Sequence, residues 1–412
     1  MLSDVLRRPL LADRIDWDED ATGSWLTEVH HGVDRRQERF GDLVSVAEVD
    51  RLLMTGLLRG PFVRMFRDER ELPFTDFGGH ETLAGEEVVG AVDPRRIATL
   101  VRTGATVSLT GAHRWHVPVG QLCLELSDTL GHPVQANIYL TPPRRKGLRL
   151  HYDTHDVVVL QVAGMKTWEV YEPVIEAPLP TQPWSARPEA ADPGWVPPTP
   201  ARLRRDLRRG DALFVPRGWL HRASTDGELS LHVTIGILAR TWWHVIEDMV
   251  RAAGRSPAVR ATVDFSVPSA EIVDAVVDVV SSLSDDFWRE AARQGVIAQS
   301  IRNERYAPHF AGALTAALES GLLDDGSYLG RGTGTVRVVD RGGQPMLVGP
   351  AGCVVLDPVE MAAWQFVAGR DEWPVSSLAE AGLDPPARVS FVDRLLEAGI
   401  VVSRPRPPDG SR

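Results

Sequence analysis

Along this 412-residue chain the spacing of apolar positions changes several times. At 45–58, SVAEVDRLLMTGLL sets a serine just before a run with helical period, which predicts a capped helix. The rest of the first hundred residues mixes short helical patterns with loops. From about 104 to 240 the runs shorten and become β-rich: ATVSL, QANIYLT, DVVVLQV, TWEVYEP, ALFVP and LSLHVTIGIL, punctuated by Gly, Pro and Asp. Many short strands at close spacing predict an all-β barrel or double-sheet jelly roll. One helical segment, VGQLCLELSDTLG, interrupts the series. Residues 174–200 are proline-rich and read as a long loop between strands, because strands resume after them. Such loops over a barrel mouth often help bind substrates, and a merely exposed loop is the equal alternative.

Between about 241 and 322 apolar residues recur at three and four, in AEIVDAVVDVVSSLSDDFWREAARQ and HFAGALTAALESG, predicting helices. From about 333, TVRVVD and PMLVG read as strands. MAAWQFVAG, SSLAEAG and PARVSFVDRLLEAG read as helices, and IVVS as a terminal strand. Short helices packed with strand pairs resemble a winged-helix module. The expected organisation is an α+β multidomain chain: a jelly-roll domain over 1–240 with an N-terminal helical elaboration, a helical region over 241–328, and a winged-helix-like domain over 329–412.

Composition removes several function classes. The two cysteines, Cys123 and Cys353, are far apart, so neither a disulfide framework nor a cysteine-rich zinc site is expected. Any metal must be held by His, Asp or Glu. No apolar stretch has the length of a membrane span, and the first twenty residues contain no apolar run of signal-peptide length. A cytoplasmic protein is the expectation. A net charge of -11 argues against a broadly basic nucleic-acid surface. The basic run ARLRRDLRRG (201–210) reads as a solvated turn, and Arg388 and Arg394 in the last helix alternate with acidic residues. Nucleic acid is therefore not an expected partner.

The chemistry concentrates in two segments. His151-Tyr152-Asp153 stands just before DVVVLQV. In extended chain, residues i and i+2 share a face, so His151 and Asp153 can both face a barrel interior. One imidazole and one carboxylate are two thirds of a facial triad, the set that leaves positions open on iron(II). Taken alone, HxD is a weak signal. The second segment, Gly210-Asp-Ala-Leu-Phe-Val-Pro-Arg-Gly-Trp-Leu-His221, runs through a strand and a turn and presents His221. HxD followed about 70 residues later by GDxLFxPxGWxH is far more specific than either piece.

These segments resemble the JmjC-type cupin oxygenases, particularly their ribosomal-oxygenase branch of protein hydroxylases. Asn137-Ile-Tyr139-Leu-Thr-Pro-Pro, His151-Tyr-Asp153, and Leu160-Gln-Val-Ala-Gly164-Met-Lys166-Thr-Trp168-Glu-Val-Tyr171 follow the family's pattern in order, as do GDALFVPRGWLH and LHVTIGI. The resemblance implies a double-stranded β-helix core, a helical dimerisation region and a C-terminal winged-helix-like module. It implies an Fe(II)- and 2-oxoglutarate-dependent dioxygenase with His151, Asp153 and His221 as metal ligands. Lys166 stands at the family's position for the far carboxylate of 2-oxoglutarate, with Tyr139 as a hydrogen-bond donor to it. Asn137 and Thr234 are expected to line the same cavity. The implied substrate is a side chain of a ribosomal protein. The alternatives are hydroxylation of a peptide natural-product precursor and a non-catalytic cupin that binds or regulates.

Other histidines have plainer readings. His155 is not expected to be a ligand, His232 is expected to line or pack near the cavity, and His113 and His116 are expected to shape the entrance or a loop. Trp168 and Trp219 read as core aromatics. The loop PPRRKG (142–147), directly before His151, departs from the family in carrying three adjacent cations, which would attract an acidic peptide or phosphate.

Overall fold

The computed structural model describes residues 11, 13–18, 27–36, 39–55, 58–192, 194–304, 323–332, 336–341, 344–349 and 352–404. The chain divides into two compact units, Met1–Ala239 and Arg240–Arg412.

The first unit is built on eleven antiparallel strands: β1 (Ile15–Trp17), β2 (His30–Asp34), β3 (Val63–Arg67), β4 (Arg70–Glu71), β5 (Thr106–Leu109), β6 (Val134–Thr141), β7 (Asp156–Tyr171), β8 (Leu203–Arg208), β9 (Asp211–Val215), β10 (Leu220–Ser224) and β11 (Ser230–Ile237). Their order is β1-β2-β9-β7-β11-β6-β5-β3-β4, with β8 and β10 also paired to β7. Strand β7 is the spine. Its first half lies between β9, with Leu160 opposite Ala212, and β11, with Val158 opposite Ile235. Its second half pairs with β8, Lys166 opposite Leu207, and with β10, Val170 opposite His221.

DVVVLQV and TWEVYEP are thus one strand, not two. They are joined through Gly164, whose φ of +62° is in the left-handed region. A Cβ there would sit 1.7 Å from the Leu229 carbonyl oxygen, so only glycine lets the chain pass. The register against β11 slips nearby, between Leu231 and His232. Both faces of its first half are buried, which explains the continuous apolar run there. Val158, Leu160 and Val162 join the large core with Phe214, Val233, Ile235 and helix residues Leu122 and Leu126. The alternate residues Val157 and Val159 pack with Leu213 and Trp219. Each such side chain fully buried contributes roughly 1.5–3 kcal/mol.

Three helices flank this core, the first and third of them where the periodicity predicts. Helix α1 (Val46–Met54) starts at Ser45, whose Oγ accepts the Glu48 N–H at 3.1 Å. A second helix spans Pro94–Arg102, and a third, Val117–Leu130, ends on the left-handed Gly131. The proline-rich segment carries a short 3-10 turn, Trp184–Ala186, and one helical turn, Pro188–Ala191.

The basic run expected as a solvated turn is instead strand β8. It pairs with β7, and Leu203 and Leu207 share the face that packs with Val170, Leu213 and Trp219, a strand period that the charges obscure. The arginines take partners: Arg204 pairs with Glu169 at 3.5 Å, Arg202 with Glu172 at 3.8 Å, and Arg205 reaches His31 Nδ1 at 3.0 Å.

In the second unit helices span Trp242–Ala253, Ser269–Ser281 and Asp285–Glu304. The long pattern over 270–294 is therefore two helices. Ser284 Oγ accepts the Phe287 N–H at 3.2 Å and starts the second. HFAGALTAALESG lies outside the described residues. Further on come strands Tyr328–Arg331, Arg337–Arg341, Gln344–Val348, Cys353–Val355, Glu372–Pro374 and Val401–Arg404, and helices Pro358–Val367 and Pro385–Glu397. SSLAEAG belongs to a 3-10 segment, Val375–Ala381. Leu329, Trp364, Trp373, Phe391 and Leu395 form the core of this module. No helix among the described residues is long and apolar enough to cross a membrane.

Candidate metal centre

His151 and Asp153 lie on the extended segment entering β7, and His221 is the second residue of β10. A bridge outside the main ladders joins the two segments. The His221 N–H donates to the His151 carbonyl at 2.8 Å, and the His151 N–H donates to the His221 carbonyl at 3.2 Å. Their rings are 4.5 Å apart between centroids. Asp153 completes the group: Oδ1 is 3.9 Å from His151 Nε2 and Oδ2 is 3.6 Å from His221 Nε2. One donor atom from each residue lies within 4.8 Å of the others.

The rings are oriented by their other nitrogens. His151 Nδ1 lies 2.7 Å from the Arg149 carbonyl oxygen, and His221 Nδ1 lies 3.1 Å from that of Trp219. Each Nδ1–H therefore donates to backbone, which leaves Nε2 bare of hydrogen and aimed at Asp153. Burial, with the neighbouring His151, pushes His221 down to about 4, so its imidazole is neutral at pH 7. Burial works to raise the Asp153 carboxyl, but the imidazoles of His155, His151 and His221 outweigh it and hold it below the ordinary range. Two imidazoles and one carboxylate, separated by little more than the spacing of donors on one ion, suit a divalent first-row metal.

Between the ligands, Tyr152 points the other way. It is buried with Tyr171 and Leu220, and its hydroxyl donates to the Gln182 carbonyl at 2.9 Å. The extended alternation expected of HYD is thus present, although these residues precede the strand proper.

The triad opens onto a cavity of about 60 Å³, which Tyr139, Lys166 and Thr234 also line. That is room for several water-sized groups. Lys166 is buried, donates to Thr141 Oγ1 at 3.1 Å, and has no carboxylate partner among the described residues. Burial pushes its ammonium down to about 7. Tyr139 stacks on His232, centroids 5.0 Å apart and 10° from parallel, and burial raises its hydroxyl. Asn137 is not among the lining residues; its Oδ1 accepts the Gly111 N–H at 2.9 Å. Thr141 and Trp168, which also lines the cavity, escaped the sequence reading as site residues. Thr141 follows Tyr139 by two in the same strand, and that parity was its available signal.

A wider groove of about 800 Å³ lies over the metal centre. The proline-rich segment walls it with Trp184 and Trp195, whose ring centroids are 5.6 Å apart, and Arg149 and His155 also line it. His113 and His116 lie elsewhere. His113 Nδ1 accepts the Ala136 N–H at 3.1 Å, and His116 lies 3.8 Å from Glu48. In the loop before His151, Lys146 lies 3.7 Å from Glu69, and Arg145 packs across Gly104.

A jelly-roll core that presents two histidines and an aspartate around one point is a cupin-type metal-site scaffold. Residues 108–245 match the JmjC domain, and the chain is similar to proteins named ribosomal oxygenases. It is 31% identical over 180 residues to ribosomal oxygenase 1 of Bos taurus, covering 43% of this chain and 26% of that protein. It is 29% identical over 197 residues to the bifunctional lysine-specific demethylase and histidyl-hydroxylase NO66 of Drosophila persimilis, covering 48% of this chain and 26% of the relative. The chain thus spans about a quarter of the length of these curated relatives. In three dimensions it is similar to Escherichia coli ycfD, with a TM-score of 0.53 at 16% identity over 97% of this chain and 96% of the other. A structure of that ribosomal oxygenase in complex with cobalt and succinic acid has a TM-score of 0.50 at 14% identity, covering 95% of each chain.

Proposed function

We propose that this chain is an Fe(II)- and 2-oxoglutarate-dependent dioxygenase that hydroxylates a side chain of a protein, a ribosomal protein being the favoured substrate. One observation carries the reading: a three-donor face and a buried lysine with no carboxylate partner among the described residues line the same cavity. A buried ammonium needs a partner, and a dicarboxylate co-substrate supplies one.

His151, Asp153 and His221 would hold the metal on one face and leave the others open. Bound iron(II), with dioxygen and 2-oxoglutarate, supplies oxidative decarboxylation to succinate and carbon dioxide coupled to hydroxylation of a C–H bond. Lys166, helped by Thr141 and Tyr139, would bind the far carboxylate and keep the ammonium protonated. Thr234 and His232 shape the cavity wall beside it. The backbone carbonyls of Arg149 and Trp219 hold both imidazoles in the ligating tautomer. Trp184 and Trp195 would position a peptide segment in the groove, so that the reacting carbon is oriented and competing reactions are excluded. The ribosomal target draws its support from relatives named as ribosomal oxygenases.

Assembly and domain roles complete the proposal. Trp242, Ile246 and Val250 form a solvent-facing stripe on one helix, Trp242 being 82% exposed, and Val273, Val276, Val277 and Val280 form another. Such stripes at helical spacing suit a second copy of the chain, so 241–328 is read as a dimerisation region. The region 329–412 is read as winged-helix-like and as a packing or protein-interaction element. Arg388 is buried against Asp325, and Arg394 pairs with Glu360, which supports a reading without nucleic acid. The site of action is proposed to be cytoplasmic.

The test is incubation of purified protein with Fe(II), 2-oxoglutarate and a lysate lacking the enzyme, followed by mass spectrometry. Succinate formation and a one-oxygen mass increase on a ribosomal protein are expected. The increase on a small precursor peptide instead would select the natural-product reading. No metal-dependent succinate at all would leave the non-catalytic cupin.

A further inference from the structure

We infer that the buried Asp156–Arg217 ion pair is the positioning device of the metal centre, clamping the turn that delivers His221 onto the strand start that carries Asp153. The inference rests on the metal-binding reading of the triad.

Asp156 opens β7, three residues after Asp153, and its side chain is 2% exposed. Arg217 lies four residues before His221. Three contacts bind them. The Arg217 backbone N–H donates to Asp156 Oδ1 at 2.9 Å, and its Nη1 donates to Oδ2 at 3.1 Å and to Oδ1 at 3.3 Å. Next in the chain, the Gly218 N–H donates to the Asp153 carbonyl at 3.0 Å. The carboxylate of one segment thus grips both backbone and side chain of the other, and the ligand's own carbonyl is tied to the adjoining residue. On its other side the turn has no slack. Gly218 has φ +89°, and a Cβ there would lie 2.3 Å from the Ile175 carbonyl oxygen.

Net stability is a poor reason for such a pair. Well-packed hydrocarbon in place of a buried ion pair is commonly neutral or stabilising. A charged pair that also engages backbone gives what hydrocarbon does not, namely a fixed distance and direction between two segments. Metal affinity depends on that geometry, because three donors must already converge before an ion arrives. Neither residue is among the residues lining the cavity, so they act through the ligands and not on substrate.

The experiment titrates Co(II) into full-length metal-free protein, followed by visible absorption bands and calorimetry, with melting of the metal-free protein measured in parallel. Arg217→Met and Asp156→Asn should each raise the Co(II) Kd by about tenfold or more, while Arg217→Lys restores most of the affinity. The double variant Asp156→Leu/Arg217→Met removes both charges and keeps a filled interior. It should fold and still bind weakly. A Kd within about twofold of the unmodified protein in any folded variant lacking the pair, whatever its melting temperature, overturns the clamp. Absence of Co(II) binding by the unmodified protein overturns the triad reading itself, and the clamp with it.

Discussion

His151 and His221, seventy positions apart in sequence, exchange backbone hydrogen bonds as directly opposed residues, at 2.8 and 3.2 Å. Their imidazoles therefore leave neighbouring backbones side by side, and the convergence of Nε2 atoms on Asp153 follows from strand geometry. Replacing either imidazole should remove a ligand without disturbing the ladder. His221→Ala and His151→Ala are expected to abolish Co(II) or Fe(II) binding in calorimetry while the circular dichroism spectrum is unchanged. Chelation of the intact protein should mimic both.

Lys166 separates co-substrate binding from stability. Lys166→Met is expected to abolish 2-oxoglutarate binding at metal saturation, read by displacement calorimetry, while metal affinity persists. The ligand-free protein has a further signature. The folded-state value is about 7, against 10.5 for a free lysine. Between these values the unfolded chain binds more protons than the folded one, so stability should rise with pH from about 7 to 10.5. Lys166→Met should flatten that slope in urea denaturation, and an unchanged slope would refute burial of this ammonium.

His113 sets an acid limit on the fold. Burial, together with Arg114, pushes its imidazole down to about 4, and Nδ1 accepts the Ala136 N–H. The unfolded chain takes up a proton near 6.5 and the folded one does not, so stability falls as pH drops from 6.5 toward 4. The total is on the order of 3 kcal/mol. His113→Gln keeps an acceptor without the titration. It should lose most of this acid sensitivity in melting curves taken at pH 7, 6 and 5.

Gly164 tests the bend of β7. Gly164→Ala forces a side chain into left-handed backbone, which alone costs about 1–2 kcal/mol, and against the Leu229 carbonyl at 1.7 Å. Severe loss of soluble protein or of melting temperature is expected. Gly227→Ala, with open space around it, should behave like the unmodified chain.

The exposed apolar stripes give a prediction on assembly. Ile246→Glu combined with Val276→Glu is expected to shift the mass in light scattering from dimer to monomer and leave 2-oxoglutarate binding intact. A monomeric unmodified protein would remove the dimer from the proposal.

Much of the site was legible in order along the chain. HYD, the lysine after Gly164 and the histidine closing GDALFVPRGWLH are local patterns, and the structure brings their side chains to one cavity. Asn137 stands one step back: its amide oxygen accepts from Gly111 and its side chain also hydrogen-bonds Tyr139, which lines the cavity. Strand β8 was hidden because exposed arginines masked the alternation of Leu203 and Leu207. Asp156 and Arg217 were unreadable, since each alone looks like an ordinary surface charge.

By itself the sequence determined residue types and periods: which positions are apolar, which side chains can ligate, and which glycines must turn. Tertiary structure alone decided that the second half of β7 pairs with β10, and hence that His221 meets His151. It also decided that an aspartate and an arginine sixty-one residues apart share one buried place. The reason is physical. Period and propensity act over a few residues, whereas strand partnership and the cost of burying charge depend on what the rest of the chain brings alongside.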